Sequence, residues 1–545
     1  MPKTLSSAAL AAALSAFIGA SLSTFPHILT LSQTGEAAWL VSADEVFYHQ
    51  IAARADFSDP ALSSSRPILY SRLPLLPGTL AARALGLGPL APGPLWRVWS
   101  GLFLGLAWFL LLRCFLSNPW LCLGGAVVLM SDAGMLYGWL GLGHYRLLAR
   151  AALSAGEPLT SQNPVLLPQW RILNPALSLP FVLLHLYFLV RALAEPTLRR
   201  LAAAAAAFAS LFYVYFFFWT AATVGLAIGA LLDASKRKTY LKIACAGALL
   251  GLPAVLSSMA LSHDSPAEAL HRIGAFSPVA RFDNLLLPKL AIGLMFAGYF
   301  WVLGRRRDVL PIWAAALAGL LLSNEHILTG VMMGNDHWAY VWGPLLYLMI
   351  VIAVANRLKT AAAVALCAIH LSSAFWLRAQ ETAAAEPRRL ALERGRYLEQ
   401  RFAPAPQTAR TLAAGPADFI DWAVLFDNQA PLFSYASILS PSIDNTALAE
   451  RLALNSFLSG LGREEFLRER RSLMMEYTLG EGVDAGAVYD RVAADPRAFI
   501  RRYGVALVAR PASAPPLSLR GWTPVKKGPH WTLWGPKTRP TSRSS

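Results

Sequence analysis

The stretch Ser42-Ala43-Asp44-Glu45-Val46-Phe47-Tyr48-His49-Gln50-Ile51 follows the first apolar run and reads as the start of a helix. Ser42 with Glu45 three residues later has the spacing of a capping box, in which each side chain takes the other's backbone amide. Asp44 falls in the first turn, where unpaired amides and the helix dipole favour negative charge. Tyr48 lies one turn after Asp44, and His49 one turn after Glu45. An acidic pair just beyond a first apolar segment is either a well-capped surface helix or the seat of chemistry at a membrane face.

The remainder of the chain sets that choice. Its 545 residues are 55% hydrophobic and only 15% charged, where a soluble domain has about 25% charged residues. The mean hydropathy of +0.44 points the same way, to an integral membrane protein. The net charge of +16, carried mostly by arginine, fits cytoplasmic anchoring loops. The basic residues are scattered among apolar runs with no nucleic-acid motif, which argues against a nucleic-acid partner. Cys114, Cys122, Cys245 and Cys367 all lie in apolar segments, so neither a disulfide framework nor a CxxC metal site is expected. The Ala, Leu, Arg and Pro bias suggests a bacterium of high genomic GC content.

In chain order, Lys3 precedes an apolar run over 5–31 that reads as a signal anchor with its N-terminus inside. A first outside loop is expected over 32–94. Spans are expected near 96–116, 120–143 and 173–193. The basic clusters Arg199-Arg200, Lys236-Arg237-Lys238, Arg305-Arg306-Arg307 and Arg357 with Lys359 are assigned to the cytoplasm. The first two bracket the apolar stretch 201–232, so that stretch must cross an even number of times. A hairpin turning near Tyr213-Val214-Tyr215 satisfies this. Further spans near 242–261, 284–303, 309–323, 339–355 and 361–380 bring the total to about eleven. After residue 381 charges and turn residues return. Helices are expected around 386–402, 446–458 and 462–477, a strand at 504–509 and a last strand at Trp531-Thr532-Leu533-Trp534. The expected fold is thus an all-α polytopic membrane domain over 1–380, followed by a small α/β extracytoplasmic domain over 381–536 and a disordered tail over 537–545.

Polar side chains then gather on one face: Asp44 and Glu45 with Arg66 and Arg72, Arg146 and Arg171, and the loop bearing His263, Asp264, His271, Arg272 and Arg281. Lys289 opens the next span, and the segment 324–338 holds Glu325, His326, Asp336 and His337. Each has a plainer reading. The capping box accounts for Glu45, the arginines suit lipid headgroups, and Asp336 with His337 suits a span end at interfacial water. A metal site from His326 and His337 has no fixed ligand spacing behind it.

A first span followed by an outside loop that opens with Asp44-Glu45, with Tyr48 close behind, resembles the GT-C class of polytopic membrane glycosyltransferases. Arg171-x-x-Asn174-Pro175, the aromatic run Tyr213-Val214-Tyr215-Phe216, the segment from His326-Ile327-Leu328-Thr329-Gly330 to His337-Trp338 and the closing Tyr503-Gly504-Val505 are similar to poorly characterised bacterial members. The resemblance implies an inner-membrane glycosyltransferase that takes sugar from a polyprenyl-phosphate-type carrier and passes it to an envelope glycan, lipid or protein outside the membrane. It gives Asp44 the catalytic role, with Glu45 second. The adjacent pair departs from the family's common Asp-x-Asp, so a need for Mg²⁺ or Mn²⁺ stays open. Inverting transfer needs a carboxylate to take the acceptor's proton and positive charge for the departing phosphate. Asp44 suits the first role. Arg66, Arg72, Arg171 and Lys289 suit the second, with Tyr48, His326, Asp336 and His337 around the substrate. A flippase of lipid-linked glycan and a non-catalytic scaffold of an envelope complex are the alternatives.

Overall fold

The computed structural model of the protein describes residues 6–34, 40, 43–64, 73–132, 170, 175–272, 277–278, 281–282, 285, 289–355, 357–358, 360–381, 385–401, 412–472 and 483–537. The described residues are mostly helical, with a five-stranded mixed sheet and a short two-stranded one. It divides into two compact units. One comprises Met1–Val41, Tyr70–Ser258 and Pro278–Ala384; the other comprises Ser42–Leu69, Met259–Ser277 and Ala385–Ser545.

The first unit is a helical bundle. Among the described residues, three helices are long and apolar enough to cross a membrane: Ser7–Ser32, Pro92–Leu112 and Arg237–His263. Six shorter apolar helices accompany them, among them Leu179–Ala194, Phe216–Leu232 and Ala339–Ala355. Leucines cover the outside of Arg237–His263, with Leu249 71% exposed. An apolar surface of that kind suits lipid rather than water. The stretch 201–232 is not one long helix. Thr197 caps Leu198–Phe212, the backbone leaves helical geometry at Tyr215, and Phe216–Leu232 follows.

Helices Ser7–Thr34 and Pro92–Leu112 cross on small residues. A Cβ at Gly101 would overlap the Gly19 carbonyl oxygen, and one at Gly105 would overlap that of Ser15. The Ser15 hydroxyl donates to the Gly105 carbonyl at 2.7 Å. Ser15-x-x-x-Gly19 therefore faces Gly101-x-x-x-Gly105, spacing that lets two backbones approach where no hydrophobic effect drives association. Beside this crossing Arg97 is fully buried. Its guanidinium meets His27 Nε2 at 3.1 Å and donates to the Trp170 carbonyl at 2.8 Å. The Trp170 indole donates to the Leu22 carbonyl at 2.8 Å. A cation inside a bundle must find such acceptors.

The second unit holds a five-stranded sheet: β1 (Leu412–Ala414), β2 (Ala430–Pro431), β3 (Val505–Pro511), β4 (Trp522–Lys527) and β5 (Trp531–Pro536). The order is β2-β1-β3-β5-β4, with β1 parallel to β2 and β3 and the remaining pairs antiparallel. Helix Ala417–Asp427 links β1 to β2 and buries Phe419 and Trp422. Helix Pro496–Tyr503 is bounded by local signals: Asp495 caps it, Pro496 opens it and Gly504 closes it at φ +68°. The last strand extends two residues beyond the expected Trp531–Trp534. Of the expected helix over 462–477, Arg463–Ser472 is formed, and the remainder lies outside the described residues, as does the tail after 537.

Gly101→Leu is expected to cost about 1–3 kcal/mol by forcing the crossing helices apart. The thermal midpoint and folded yield of the detergent-solubilised protein check this, with Gly86→Leu, where no atom lies close, as an unsuitable control because of its φ of +63°, and Gly293→Leu as a suitable one.

Candidate functional site

Helix Ala43–Ala53 belongs to the second unit. From Glu45 to Ala52 every residue is buried except Tyr48, which with Asp44 is half-buried. Between Asp44 and Ala52 the helix thus shows Asp44 and Tyr48, one turn apart, and hides the rest. Asp44 Oδ1 accepts a hydrogen bond from the Tyr435 hydroxyl at 2.6 Å. Among the described residues Tyr435 is the one side chain bonded to Asp44, which leaves Oδ2 without a protein donor. Glu45 stands second to Asp44 in the expected catalytic role, but at 2% exposure its burial removes it from the face that Asp44 and Tyr48 present. Its expected capping partner Ser42 lies outside the described residues.

A buried polar lattice fixes this geometry. Tyr435 opens helix Tyr435–Leu439, capped by Ser434, whose amide donates to Ser437 Oγ at 3.1 Å. The following loop is held by Arg272, at the end of helix Ala267–Arg272. Its guanidinium donates to the carbonyls of Ile438 at 3.0 Å, Ser440 at 2.9 Å and Ile443 at 2.6 Å, and to Asn445 Oδ1 at 2.5 Å. Burial pulls the Arg272 pKa down to about 10, against the pull of Asp444 and Glu268. The Ser440 hydroxyl then donates to Asp59 Oδ2 at 2.5 Å, while Asp59 Oδ1 takes the Ala61 amide at 2.9 Å. Gln50 donates to the Asp421 carbonyl at 2.9 Å, tying helix Ala43–Ala53 to helix Ala417–Asp427. Desolvation, reinforced by Glu393, pushes the Asp421 carboxyl up to about 7, and its Oδ1 is shut off from solvent without a partner among the described residues.

His326, Asp336, His337 and Lys289 belong to the first unit. The Tyr215 hydroxyl bonds His337 Nδ1, and the Phe217 ring lies 4.8 Å from the His337 ring. The Trp338 indole donates to Thr220 at 3.1 Å. The aromatic run therefore forms a half-exposed wall with His337. His326 was expected to line the substrate, but it is fully buried beside Glu325, whose carboxylate takes the amides of His326 and Met333 at 3.0 Å each. That carboxylate closes a turn in the loop, a structural demand the sequence pattern did not reveal. Lys289 starts helix Lys289–Arg305 and Asp336 lies in the turn Asn335–Trp338; their side chains are outside the described residues, as are Arg66, Arg72, Arg146 and Arg171 entirely. Arg281 donates to the Ile327 and Leu328 carbonyls, and His263 and Asp264 form an exposed pair at 3.6 Å. No group of three or more His, Cys, Asp or Glu among the described residues is placed to hold a metal ion.

Sequence reasoning missed Tyr435, Asp59, Ser440, Arg97 and His27. The Asp59-Pro60 pair carried a turn signal; Tyr435 carried none. No protein-family model matches the chain, and no curated protein matches it either.

Two outcomes are expected from this lattice. Arg272→Lys keeps the charge but not the planar fork, and is expected to destabilise the second unit by about 2–4 kcal/mol, read as a lower thermal midpoint. For Asp421 the folded-state pKa lies above the unfolded one, so its favourable contribution is complete below pH about 4 and is lost as pH rises through about 7. Asp421→Asn is therefore expected to be more stable than wild type at pH 8, by about 1–2 kcal/mol, with the advantage gone at pH 4 in melting curves.

Proposed function

We propose that the protein is a multi-pass inner-membrane glycosyltransferase of GT-C type, with about eleven spans, acting at the extracytoplasmic face. The observation that carries the reading is Asp44. It stands half-exposed on a mostly buried helix, one carboxylate oxygen held by Tyr435 and the other without a donor among the described residues. A general base needs that combination of fixed orientation and an open lone pair.

In the proposed reaction an acceptor hydroxyl approaches Asp44 Oδ2. Its oxygen forms a bond to the anomeric carbon of a polyprenyl-phosphate-linked sugar as the bond from that carbon to the phosphate oxygen breaks. The hydroxyl proton passes to Asp44, and the electron pair leaves on the phosphate. Tyr48, beside Asp44 on the same face, contacts the sugar or acceptor. Arg66, in the same unit as Asp44, is proposed to balance the phosphate's charge. Glu45 and His326, both buried, are assigned to support of their segments rather than to contact with substrate.

Asp44→Asn keeps the size of the side chain and removes the base. In a deletion strain complemented with the full-length variant at normal expression, transfer is expected to fall about 10²-fold or more. Carrier-linked sugar should accumulate and the envelope acceptor should stay unmodified in mass spectra. Full complementation by this variant would overturn the mechanism.

A further inference from the structure

We propose that Tyr435, a residue of the C-terminal sequence, is a positioning residue that aims the Asp44 carboxylate; the proposal rests on the reading of Asp44 as the base. A terminal carboxylate turns through a broad range about its last torsion. One donor, the Tyr435 hydroxyl at 2.6 Å from Oδ1, selects a single orientation and leaves Oδ2 without a donor among the described residues. The chemistry of the donor matters. A guanidinium would engage both oxygens at once, as paired N–H groups do. A phenol has a single O–H, so it occupies one oxygen and leaves the other to accept a proton.

The donor is itself held from both sides. Ser434 and Ser437 cap the helix that Tyr435 opens, and the four bonds from Arg272 pin the chain from Ile438 to Asn445 directly after it. The aromatic ring is thereby fixed relative to its hydroxyl's target. Asp44 lies near the start of the chain and Tyr435 is 391 residues later, within the same compact unit. The C-terminal α/β sequence thus completes the catalytic group instead of serving as a separate acceptor-binding module.

The test uses purified full-length protein. The donor probe is the lipid extract of the deletion strain, and the acceptor probe is its delipidated envelope fraction. Tyr435→Phe is expected to lower kcat about 10–100-fold. KM for the extract should stay within about two-fold, since uniform binding is untouched. The double variant Asp44→Asn with Tyr435→Phe is expected to be no slower than Asp44→Asn alone. Tyr503→Phe is the control, because it removes a like phenol–carboxylate bond, to Glu450 at 2.6 Å, elsewhere in the unit. It should keep wild-type kcat. If the Phe variant melts lower, Tyr435→His decides: partial recovery of kcat by its ring N–H supports positioning, and a loss as deep as with Phe overturns it. Wild-type kcat in Tyr435→Phe, an effect on KM alone, an equal kcat loss in Tyr503→Phe, or a further loss in the double variant would each overturn the proposal while an inactive Asp44→Asn leaves the base reading standing. An active Asp44→Asn removes both.

Discussion

A buried guanidinium cannot remain without acceptors, and Arg272 meets that demand by gathering three backbone carbonyls and one amide oxygen around itself. The loop it gathers has little regular structure of its own, so its carbonyls need a donor as much as the arginine needs them. From one end of that loop comes Tyr435, which reaches Asp44. From its middle comes Ser440, which reaches Asp59. The placement of the acidic helix is therefore tied, through two short bonds, to one cation located far from it in sequence. A lysine could carry the charge but could not span four acceptors in one plane.

The helical unit answers a different constraint. Where lipid surrounds a helix, apolar residues gain little by leaving it for a neighbouring helix, so close packing has to come from shape. The crossing of Ser15 and Gly19 against Gly101 and Gly105 supplies shape by removing side chains. Arg97 adds polar bonds beside it, pairing with His27 and the Trp170 carbonyl. These bonds fix Arg97 in place.

Much of the helical layout was legible from residue pattern. Apolar runs ended where arginines, prolines and caps appeared, and helices such as Ala339–Ala355 and Asn445–Ser459 formed within a residue or two of the expected bounds. The charge clusters flanking 201–232 required a turn, and the helix breaks at Tyr213–Tyr215. The candidate site was less legible. Glu45 and His326 carry side chains typical of reactive positions, yet packing buried both. Arg272 was visible among the polar residues of its loop, but nothing in its neighbourhood distinguished a clamp from a surface charge.

The sequence by itself determined the mostly helical character of the chain, the limits of helices such as Ala339–Ala355 and Asn445–Ser459 and the acidic first turn at Asp44, because periodicity, caps and dipoles act within a few residues. Only the tertiary structure decided that Tyr435 bonds Asp44, that Arg272 holds the loop behind Tyr435 and that Asp44 with Tyr48 is the part of its helix left half-open. Such pairings depend on which surfaces meet when distant segments pack, and the local physics that shapes each segment has no knowledge of its partner.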